Sequence, residues 1–304
     1  YVIYTGDDER FEYVYRFVSS SRVDRANPST NRDLLDNGIL SVARYDADGS
    51  VTWLPLVHGQ GPLTSANGFN SQADVLIEPR RAGDLLGATK MDRPEDVQAS
   101  PVTQKVYVIL TNNNRRTAEQ ITPSNPRSDN RFGHLIEMVP PDGDHTADKY
   151  TWSVLVKCGD PSIAAVGAAF SPETTKNGWF GMPDNLAFDS RGRLWVATDG
   201  NAVSKTGRAD GVWGVETEGP LRGTSKHFYR VPVGAELCGP CFTPDDETLF
   251  VAIQHPGEAD EGDPNAPPAT FENPATRWPD FKPNMPPRPS VVAITKRGGG
   301  KIAS

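Results

Sequence analysis

The sequence predicts an all-β fold, and three observations support this prediction. Apolar residues occur in short, frequent runs of strand length that are separated by turn residues. The 304 residues include 28 Gly and 27 Pro, a share that favours many turns. A unit made of a carboxylate, a short strand, a tight turn and an apolar strand occurs three times. Helical periodicity is expected only at residues 72–86.

The predicted strands follow one another along the whole chain. They cover residues 12–19, 39–45, 51–57, 106–111, 135–139, 150–157, 194–198, 212–216, 228–232, 249–253 and 290–295. The sequence Asp46-Ala47-Asp48-Gly49 predicts a hairpin turn between two of them. An EF-hand fragment is the alternative for this turn, but the flanking helices and the distal glutamate are missing.

Two segments are expected to be surface loops. Residues 113–131 show no strand or helix pattern, and residues 255–289 form a long stretch rich in Pro and acidic residues. The remaining pattern gives no boundary between domains. We therefore expect residues 1–304 to form a single domain, or the C-terminal part of one, with 255–289 as a long Pro-rich loop.

The repeated unit predicts a β-propeller. Glu95, Asp184 and Glu236 each precede an apolar strand by 10 to 13 residues, with a short strand and a tight turn between. Repeated strand–turn–strand units in a strand-rich chain are typical of propellers, whose blades surround a central channel. Because the first strand of each blade lines that channel, we expect the three carboxylates to meet at one end of it.

Carboxylates that meet on an axis predict a metal site. Like charges at such a point repel one another strongly unless cations lie between them. The oxygen ligands of Glu95, Asp184 and Glu236 suit a hard cation such as Ca²⁺. The alternative is that these acids cap turns or face solvent, as most carboxylates do.

Arg93 stands two residues before Glu95, beside the predicted metal site. A guanidinium in this position suits a planar, bidentate oxyanion such as phosphate. The alternative is a salt bridge from Arg93 to Asp92 or Asp96.

Composition excludes two other classes of protein. The 31 Lys and Arg against 39 Asp and Glu give a net charge of −8, which argues against nucleic acid as a partner. No run approaches the ~18 apolar residues that span a bilayer, so no membrane partner is expected. The chain begins at Tyr1 in a strand-like run without Met, and we expect it to be part of a longer protein.

The three cysteines, Cys158, Cys238 and Cys241, are too few for a disulfide framework. Cys238-Gly239-Pro240-Cys241 has the spacing of a redox dithiol, whose first thiol needs a helix N-terminus. A turn and a strand follow at once, so a structural or disulfide-bonded pair is the favoured interpretation.

The motifs together resemble the C-terminal half of the PhoX family of bacterial alkaline phosphatases. The segments that carry the resemblance span the whole chain in order. They are Gly6-Asp7-Asp8-Glu9, Tyr13-Val14-Tyr15-Arg16-Phe17, Met91-Asp92-Arg93-Pro94-Glu95-Asp96, Pro183-Asp184-Asn185-Leu186, Trp195-Val196-Ala197-Thr198-Asp199-Gly200, Glu236-Leu237-Cys238-Gly239-Pro240-Cys241-Phe242, Gln254-His255-Pro256-Gly257-Glu258 and Pro287-Arg288-Pro289-Ser290-Val291-Val292.

The resemblance implies a six-bladed propeller, of which this chain forms about half or more. It also implies calcium and iron ions at the axis, hydrolysis of small phosphomonoesters, and export by the twin-arginine route to the periplasm or the medium. Part of the iron ligands, a cysteine and a further glutamate, belong to the family's N-terminal half. The remaining half of the propeller is therefore an expected partner.

The resemblance also implies roles for single residues. It makes Glu95, Asp184 and Glu236 metal ligands, Arg93 a contact of the substrate phosphate, and Arg93 and Glu95 the catalytic pair. Asp8 is a further candidate ligand. Asp7 competes with Asp8 for that role.

Two other functions fit the residues. One is a non-catalytic calcium-binding propeller module, and the other is a lactonase-like, calcium-dependent propeller hydrolase. The Arg93–Glu95 pair favours the phosphatase, because a lactone needs no phosphate clamp. His255 lies at a predicted strand end, where a hydrogen-bonding role is favoured over a catalytic one.

Overall fold

The computed structural model describes residues 1–260 and 263–304 and is built almost entirely from antiparallel strands. The strands are β1 (Val2–Gly6), β2 (Val14–Ser19), β3 (Gly38–Tyr45), β4 (Ser50–Pro55), β5 (Pro94–Ala99), β6 (Val106–Leu110), β7 (His134–Val139), β8 (Lys149–Lys157), β9 (Pro183–Phe188), β10 (Leu194–Thr198), β11 (Gly211–Val215), β12 (Ser225–Arg230), β13 (Glu236–Phe242), β14 (Thr248–Gln254) and β15 (Ser290–Thr295). The α-helices are α1 (Gln72–Ile77), α2 (Pro79–Leu86) and α3 (Val203–Thr206), and short 3₁₀ turns occupy Pro28–Asn31, Ser65–Asn67, Ala118–Gln120, Pro141–Gly143, Ala164–Val166 and Gly219–Leu221. No helix in the described ranges is long and apolar enough to cross a membrane.

The strands form four blade-like units, and the predicted propeller class is confirmed. The units are β1–β4, β5–β8, β9–β12 and β13–β15, each with consecutive strands as neighbours. The innermost strands β1, β5, β9 and β13 lie side by side in that order. The first strand of each unit therefore faces the common axis, as the repeat predicted.

The first two units are also joined at their outer edges. Three residues of β4 pair with three residues of β8, so the two blades form one eight-stranded sheet. Since β1 also lies beside β5, this sheet is nearly closed on itself. The sequence did not predict this second junction, because strand pairing between non-consecutive strands leaves no local pattern.

The core lies between neighbouring blades. Tyr107 and Ile109 of β6 pack toward the third blade, whereas Val106 and Val108 pack between the first two. Successive side chains of a strand point to opposite faces, so one strand supplies both interfaces. This explains why β6 and β10 are buried at every residue and read as continuous apolar runs.

The helical segment predicted at residues 72–86 consists of two helices. The break falls at Glu78, which has φ −116° and ψ 53°. Pro79 disfavours helical backbone at the residue before it, so a new helix begins at Pro79. The Ser71 hydroxyl accepts a hydrogen bond from the backbone N–H of Asp74 and caps α1.

The two predicted loops differ from each other. Residues 113–131 contain no strand, as predicted, and most of them are exposed, but Asn113, Asn125 and Asn130 are buried and anchor the loop to the fold. Of the predicted loop at 255–289, Glu261 and Gly262 lie outside the described residues, and the rest contains no helix or strand. Its extent as a long Pro-rich loop stays a prediction.

Candidate active site

Three of the innermost strands begin at one end of the fold, and each begins with a predicted site carboxylate. Glu95 is the second residue of β5, Asp184 the second of β9, and Glu236 the first of β13. Asn185 bridges the three strands: its Nδ2 donates to Glu95 Oε2 at 3.0 Å, and its Oδ1 accepts from the Gly239 N–H at 2.8 Å. The structure therefore brings the three carboxylates to the same end of the blades.

Each of these strands carries a β-bulge near its carboxylate. In β5 the bulge lies between Pro94 and Val97 and includes Glu95. In β9 the pairing shifts across Asp184, and in β13 it shifts between Cys238 and Cys241. Bulges re-aim side chains and are common beside active sites. The shifts in β5 and β9 contain Glu95 and Asp184 and interrupt the in–out alternation there, whereas Glu236 pairs in regular register with Gln254 before the shift in β13.

The backbone just before two of the carboxylates is in the left-handed region. Arg93 has φ 55° and Met182 has φ 50°, and each precedes the proline that begins its strand. Such angles are uncommon outside glycine and cost about 1–2 kcal/mol each. The same conformation at equivalent positions of two blades indicates that it helps to aim Arg93 and the carboxylates that follow.

Asp8 reaches the same end of the fold from the opposite direction. The end of β1, rather than its start, lies beside the start of β5, where Gly6 abuts the Pro94 carbonyl. Asp8 then follows β1 and accepts a 2.8 Å hydrogen bond from Arg93 Nη2. Arg93 is thus paired with Asp8, and not with Asp92 or Asp96 as its alternative interpretation required.

Asp7, the competitor of Asp8, is engaged elsewhere. Its two oxygens accept hydrogen bonds from Arg80 Nε and Nη2 at 2.7 and 2.6 Å. This bidentate ion pair directs the Asp7 carboxylate toward α2, whereas Asp8 faces Arg93. The geometry therefore favours Asp8 over Asp7 as a ligand.

The carboxylates repel one another in a largely buried setting. Burial, together with the charges of Glu95, Asp199, Glu236 and Asp8, raises the pKa of Asp184 to about 9. Burial likewise raises the pKa of Glu95 to about 7, against the hydrogen bond from Asn185. Groups with this donor chemistry fit a hard divalent cation, whose charge would offset their repulsion.

The side chains do not form a closed metal cage. Within residues 1–260 and 263–304, no three His, Cys, Asp or Glu side chains are close enough to hold a metal ion. The oxygen donors of Asp8, Glu95, Asp184 and Glu236 fit calcium by type, and their role as ligands stays a prediction.

Glu236 is held by residues at the end of the neighbouring strand β14. Gln254 Nε2 donates to Glu236 Oε1 at 2.9 Å, and the Cys238 thiol lies 3.3 Å from the same oxygen. His255 Nε2 lies 3.4 Å from Glu236 Oε2, and its Nδ1 lies 3.1 Å from the Gly234 carbonyl. His255 has the hydrogen-bonding position that the sequence favoured.

The Cys-x-x-Cys motif is not a thioredoxin-like site. Cys238 and Cys241 lie within β13, and both are free thiols. Burial, together with the neighbouring Glu236, raises the pKa of Cys238 to about 12. A thiol with this pKa is a poor nucleophile. The position of both cysteines in a strand agrees with the expectation that they are not a redox dithiol. The disulfide that the sequence allowed between them is not present.

A buried polar network lies behind Arg93, and the sequence analysis missed it. Asp92 is fully buried and accepts hydrogen bonds from Arg116 Nε at 2.6 Å and Asn130 Nδ2 at 2.9 Å. His134, also fully buried, contacts Asn130 through Nδ1 at 3.2 Å. A histidine at the start of β7, directly before the apolar Leu135 and Ile136, is the only sequence signal of this network. It fixes the 113–131 segment against the residue that precedes Arg93.

The same end of the fold contains a cavity of about 520 Å³. Cationic residues Arg10, Arg93 and Arg131 line one part of it, and Glu236 and His255 line another. A cavity of this size suits a small organic ligand.

The family model of the alkaline phosphatase PhoX matches residues 1–257. The chain belongs to the PhoX family of alkaline phosphatases. Among curated protein sequences, none matches the chain.

Solved structures give a further comparison. Pseudomonas fluorescens PhoX, in complex with vanadate as a transition-state analogue, matches with a TM-score of 0.88 and 37% identity. The match covers 99% of this chain and 52% of that one, so the chain spans about half the length of that relative.

Two other matches are weak. A luciferin-regenerating enzyme has 12% identity and a TM-score of 0.37 over 99% of this chain and 63% of its own. A protein described as a putative gluconolactonase has 12% identity and a TM-score of 0.31, and the match covers 85% of this chain and 74% of that one. Neither bears on the function of the chain.

Proposed function

We propose that the chain forms part of the active-site face of a metal-dependent phosphomonoester hydrolase. The observation that carries this proposal is the Arg93–Asp8 pair beside the carboxylates of Glu95 and Asp184, in a chain of the PhoX family. Vanadate, the ligand of the Pseudomonas relative, mimics a phosphoryl group in transfer. A guanidinium next to clustered carboxylates is suited to the same chemistry.

In this proposal Arg93 binds the phosphoryl group of the substrate. Its side chain is only 19% exposed, and its Nη2 is held by Asp8. The ion pair fixes the plane of the guanidinium, so its remaining N–H groups are pre-oriented for an oxyanion. Exclusion of bulk water strengthens the attraction between the guanidinium and the phosphate.

Glu95, Asp184, Glu236 and Asp8 would hold the calcium, and iron would take part of its ligands from outside this chain. Bound metal would supply charge neutralisation at the phosphoryl oxygens and activation of the attacking oxygen. Asn185 orients Glu95 through its 3.0 Å hydrogen bond, and Gln254 orients Glu236 through its 2.9 Å bond. Such partners of ligands keep a site's geometry fixed.

We further propose that the substrate is a small phosphomonoester and that the partner of this chain is the remaining half of the propeller. The protein would act in the periplasm or the medium after twin-arginine export, and neither nucleic acid nor a membrane would be a partner. The net charge of −8 supports the exclusion of nucleic acid.

The test is an assay of the intact longer protein with a chromogenic phosphomonoester and with a lactone. Both assays are run with and without added Ca²⁺ and iron. Hydrolysis of the phosphomonoester alone, dependent on the metals, is the expected result. Hydrolysis of the lactone alone would indicate the lactonase-like function, and calcium binding without either activity would indicate a binding module.

A further inference from the structure

The charged residues that line the cavity beside Arg93 differ between the blades, and those of the third blade, Asp199, Lys205 and Asp210, carry both signs. Arg10, Arg93 and Arg131 line it from the first two blades and their loops. The acids Glu236 and Glu258 line it from the fourth blade, next to His255. A ligand that carries negative charge at both of its ends would therefore lie along the side of the first two blades.

Arg10 is fixed on that side by two independent contacts. Its backbone forms a bridge with Asp92, the residue before Arg93. Its Nε donates to Asn114 Oδ1 at 3.2 Å, and Asn114 also lines the cavity. The Arg10 side chain is 26% exposed, and Nη1 is 3.8 Å from Glu9, which is beyond hydrogen-bond length.

Arg10 lies beside Arg93, because its backbone bridges Asp92, the residue before Arg93. Arg115 is also nearby, since it follows Asn114, the hydrogen-bond partner of Arg10. Arg10 and Arg93 line the cavity, whereas Arg115 is exposed and does not. The proposed function uses only Arg93 of the three cavity guanidiniums, and the Arg131 guanidinium is paired with Asp129 at 3.0 Å.

We propose that Arg10 binds a second oxyanion on the alcohol part of the substrate, so that the cavity prefers phosphomonoesters whose leaving group is itself an anion. This inference rests on the proposed phosphatase function, which places the ester phosphate at Arg93. A guanidinium oriented through Nε presents its outer edge to a planar or tetrahedral oxyanion. The 520 Å³ cavity has room for a short carbon chain between the two anions.

The test compares three non-hydrolysable probes by calorimetry on the full chain with Ca²⁺ present. Propylphosphonate carries one anion, 3-phosphonopropionate adds a carboxylate, and propane-1,3-bisphosphonate adds a second phosphonate. We expect the two probes with a second anionic group to bind about tenfold more tightly than propylphosphonate, as one charge-assisted hydrogen bond allows. The stronger of the two tells whether the second anion is a carboxylate or a phosphate.

Two variants distinguish direct binding by Arg10 from the long-range attraction of any nearby positive charge. Arg10→Gln should abolish the preference while propylphosphonate binding is retained. The matched Arg115→Gln removes the same charge nearby but outside the cavity, and should keep the preference. Circular dichroism checks that both variants are folded.

The possible failures are distinct. Equal binding of all three probes to the unaltered chain would overturn the role of Arg10 and leave the phosphate site intact. An equal loss of preference in both variants would also overturn it, because the effect would then be long-range. If no phosphonate binds, the assignment of phosphate to Arg93 fails as well, and the proposed function loses its main support.

Discussion

Asn185 of β9 donates a 3.0 Å hydrogen bond to the Glu95 carboxylate of β5, across the boundary between the second and third blades. The same amide accepts from Gly239 of β13, so one side chain connects three blades at the candidate site. The next residue strengthens the junction, because the Leu186 N–H donates to Asp96 at 2.8 Å. The relative position of the carboxylates thus depends on hydrogen bonds as well as on apolar packing.

Asn185→Ala should therefore lower the free energy of unfolding. The change removes both bonds and leaves the partly buried Glu95 without its donor, at a cost of about 1–3 kcal/mol. Urea unfolding of the purified chain measures the change. Asn177→Ala, at an exposed position, serves as the control. Equal stability of the Asn185 and Asn177 variants would contradict the bridging role.

Asp8 and Asp7 should differ in their effect on calcium binding. Asp8→Asn removes a charge that faces Arg93 and acts on Asp184, and we expect calcium affinity to fall about tenfold. Asp7→Asn removes a charge that is paired with Arg80, and calcium affinity should change little. Titration calorimetry with Ca²⁺ compares the two variants. A larger effect of Asp7→Asn would reverse the assignment.

Glu95→Gln should abolish phosphatase turnover in the intact longer protein. Loss of one carboxylate weakens the metal site, which supplies several kcal/mol of barrier reduction, so the rate should fall on the order of a thousandfold. The present chain alone should have little or no activity, and there the same change should have almost no effect. Rates with a chromogenic phosphomonoester test both statements. A chain that hydrolyses the ester as fast as its parent would show that its ligand set is complete.

His134 should make stability depend on pH. Burial lowers its pKa to about 4, and its ring is neutral in the fold: Nε2 donates to the Ser124 carbonyl at 2.7 Å, and Nδ1 accepts from Asn130. In the unfolded chain the pKa returns to about 6.5, so below that pH the unfolded state binds a proton that the folded state does not. Stability should fall between pH 6.5 and 4 by about 3 kcal/mol.

This pH dependence can be isolated with a variant. Unfolding free energies of the unaltered chain and of His134→Gln are compared from pH 7 to pH 4.5. The stability advantage of the unaltered chain over His134→Gln should shrink as the pH falls, because only the unaltered chain contains the buried imidazole. The carboxylates titrate in both proteins, so their contribution cancels in the difference. His58→Gln, at a half-exposed position, is the control. A constant difference for His134→Gln would contradict a neutral buried imidazole.

Gly6→Ala should disrupt the junction of the first two blades. A Cβ at this position would lie 2.0 Å from the Pro94 carbonyl oxygen, and the backbone would have to move apart. We expect a loss of about 3 kcal/mol in the free energy of unfolding. Gly214→Ala is the matched control, because its Cβ would have no neighbour closer than 3.9 Å. Thermal or urea unfolding compares the two.

The sequence was most informative where a pattern is local. Alternation, continuous apolar runs and turn residues predicted the strands, and the repeated carboxylate placed Glu95 and Asp184 at equivalent strand positions. Contacts between distant residues left no such signal. The Asp92–Arg116 ion pair joins two segments that read as separate, and the pairing of β4 with β8 joins strands far apart in the chain.

Backbone geometry also escaped the sequence analysis. The left-handed φ of Arg93 precedes a proline, where side-chain type alone predicts extended backbone. The bulge in β13 places Glu236 opposite Gln254, at the level where Pro94 and Pro183 stand in their strands. The position of Glu236 along its strand therefore differs by one residue from the positions of Glu95 and Asp184. The spacing of the carboxylates in the sequence does not reveal this difference.

The pairing of β4 with β8 has a mechanical consequence for the site. The first two blades contact each other at the axis through β1 and β5 and are paired at their outer edges through β4 and β8, so backbone hydrogen bonds resist their separation. No rim pairing ties the third or fourth blade to its neighbour among the described residues, where the sheets of four and three strands stand separately. Backbone pairing therefore fixes the span from Asp8 to Glu95, whereas the span from Glu95 to Glu236 depends on apolar packing and on the side-chain bonds of Asn185, and is the one that can adjust more readily to the size of an ion.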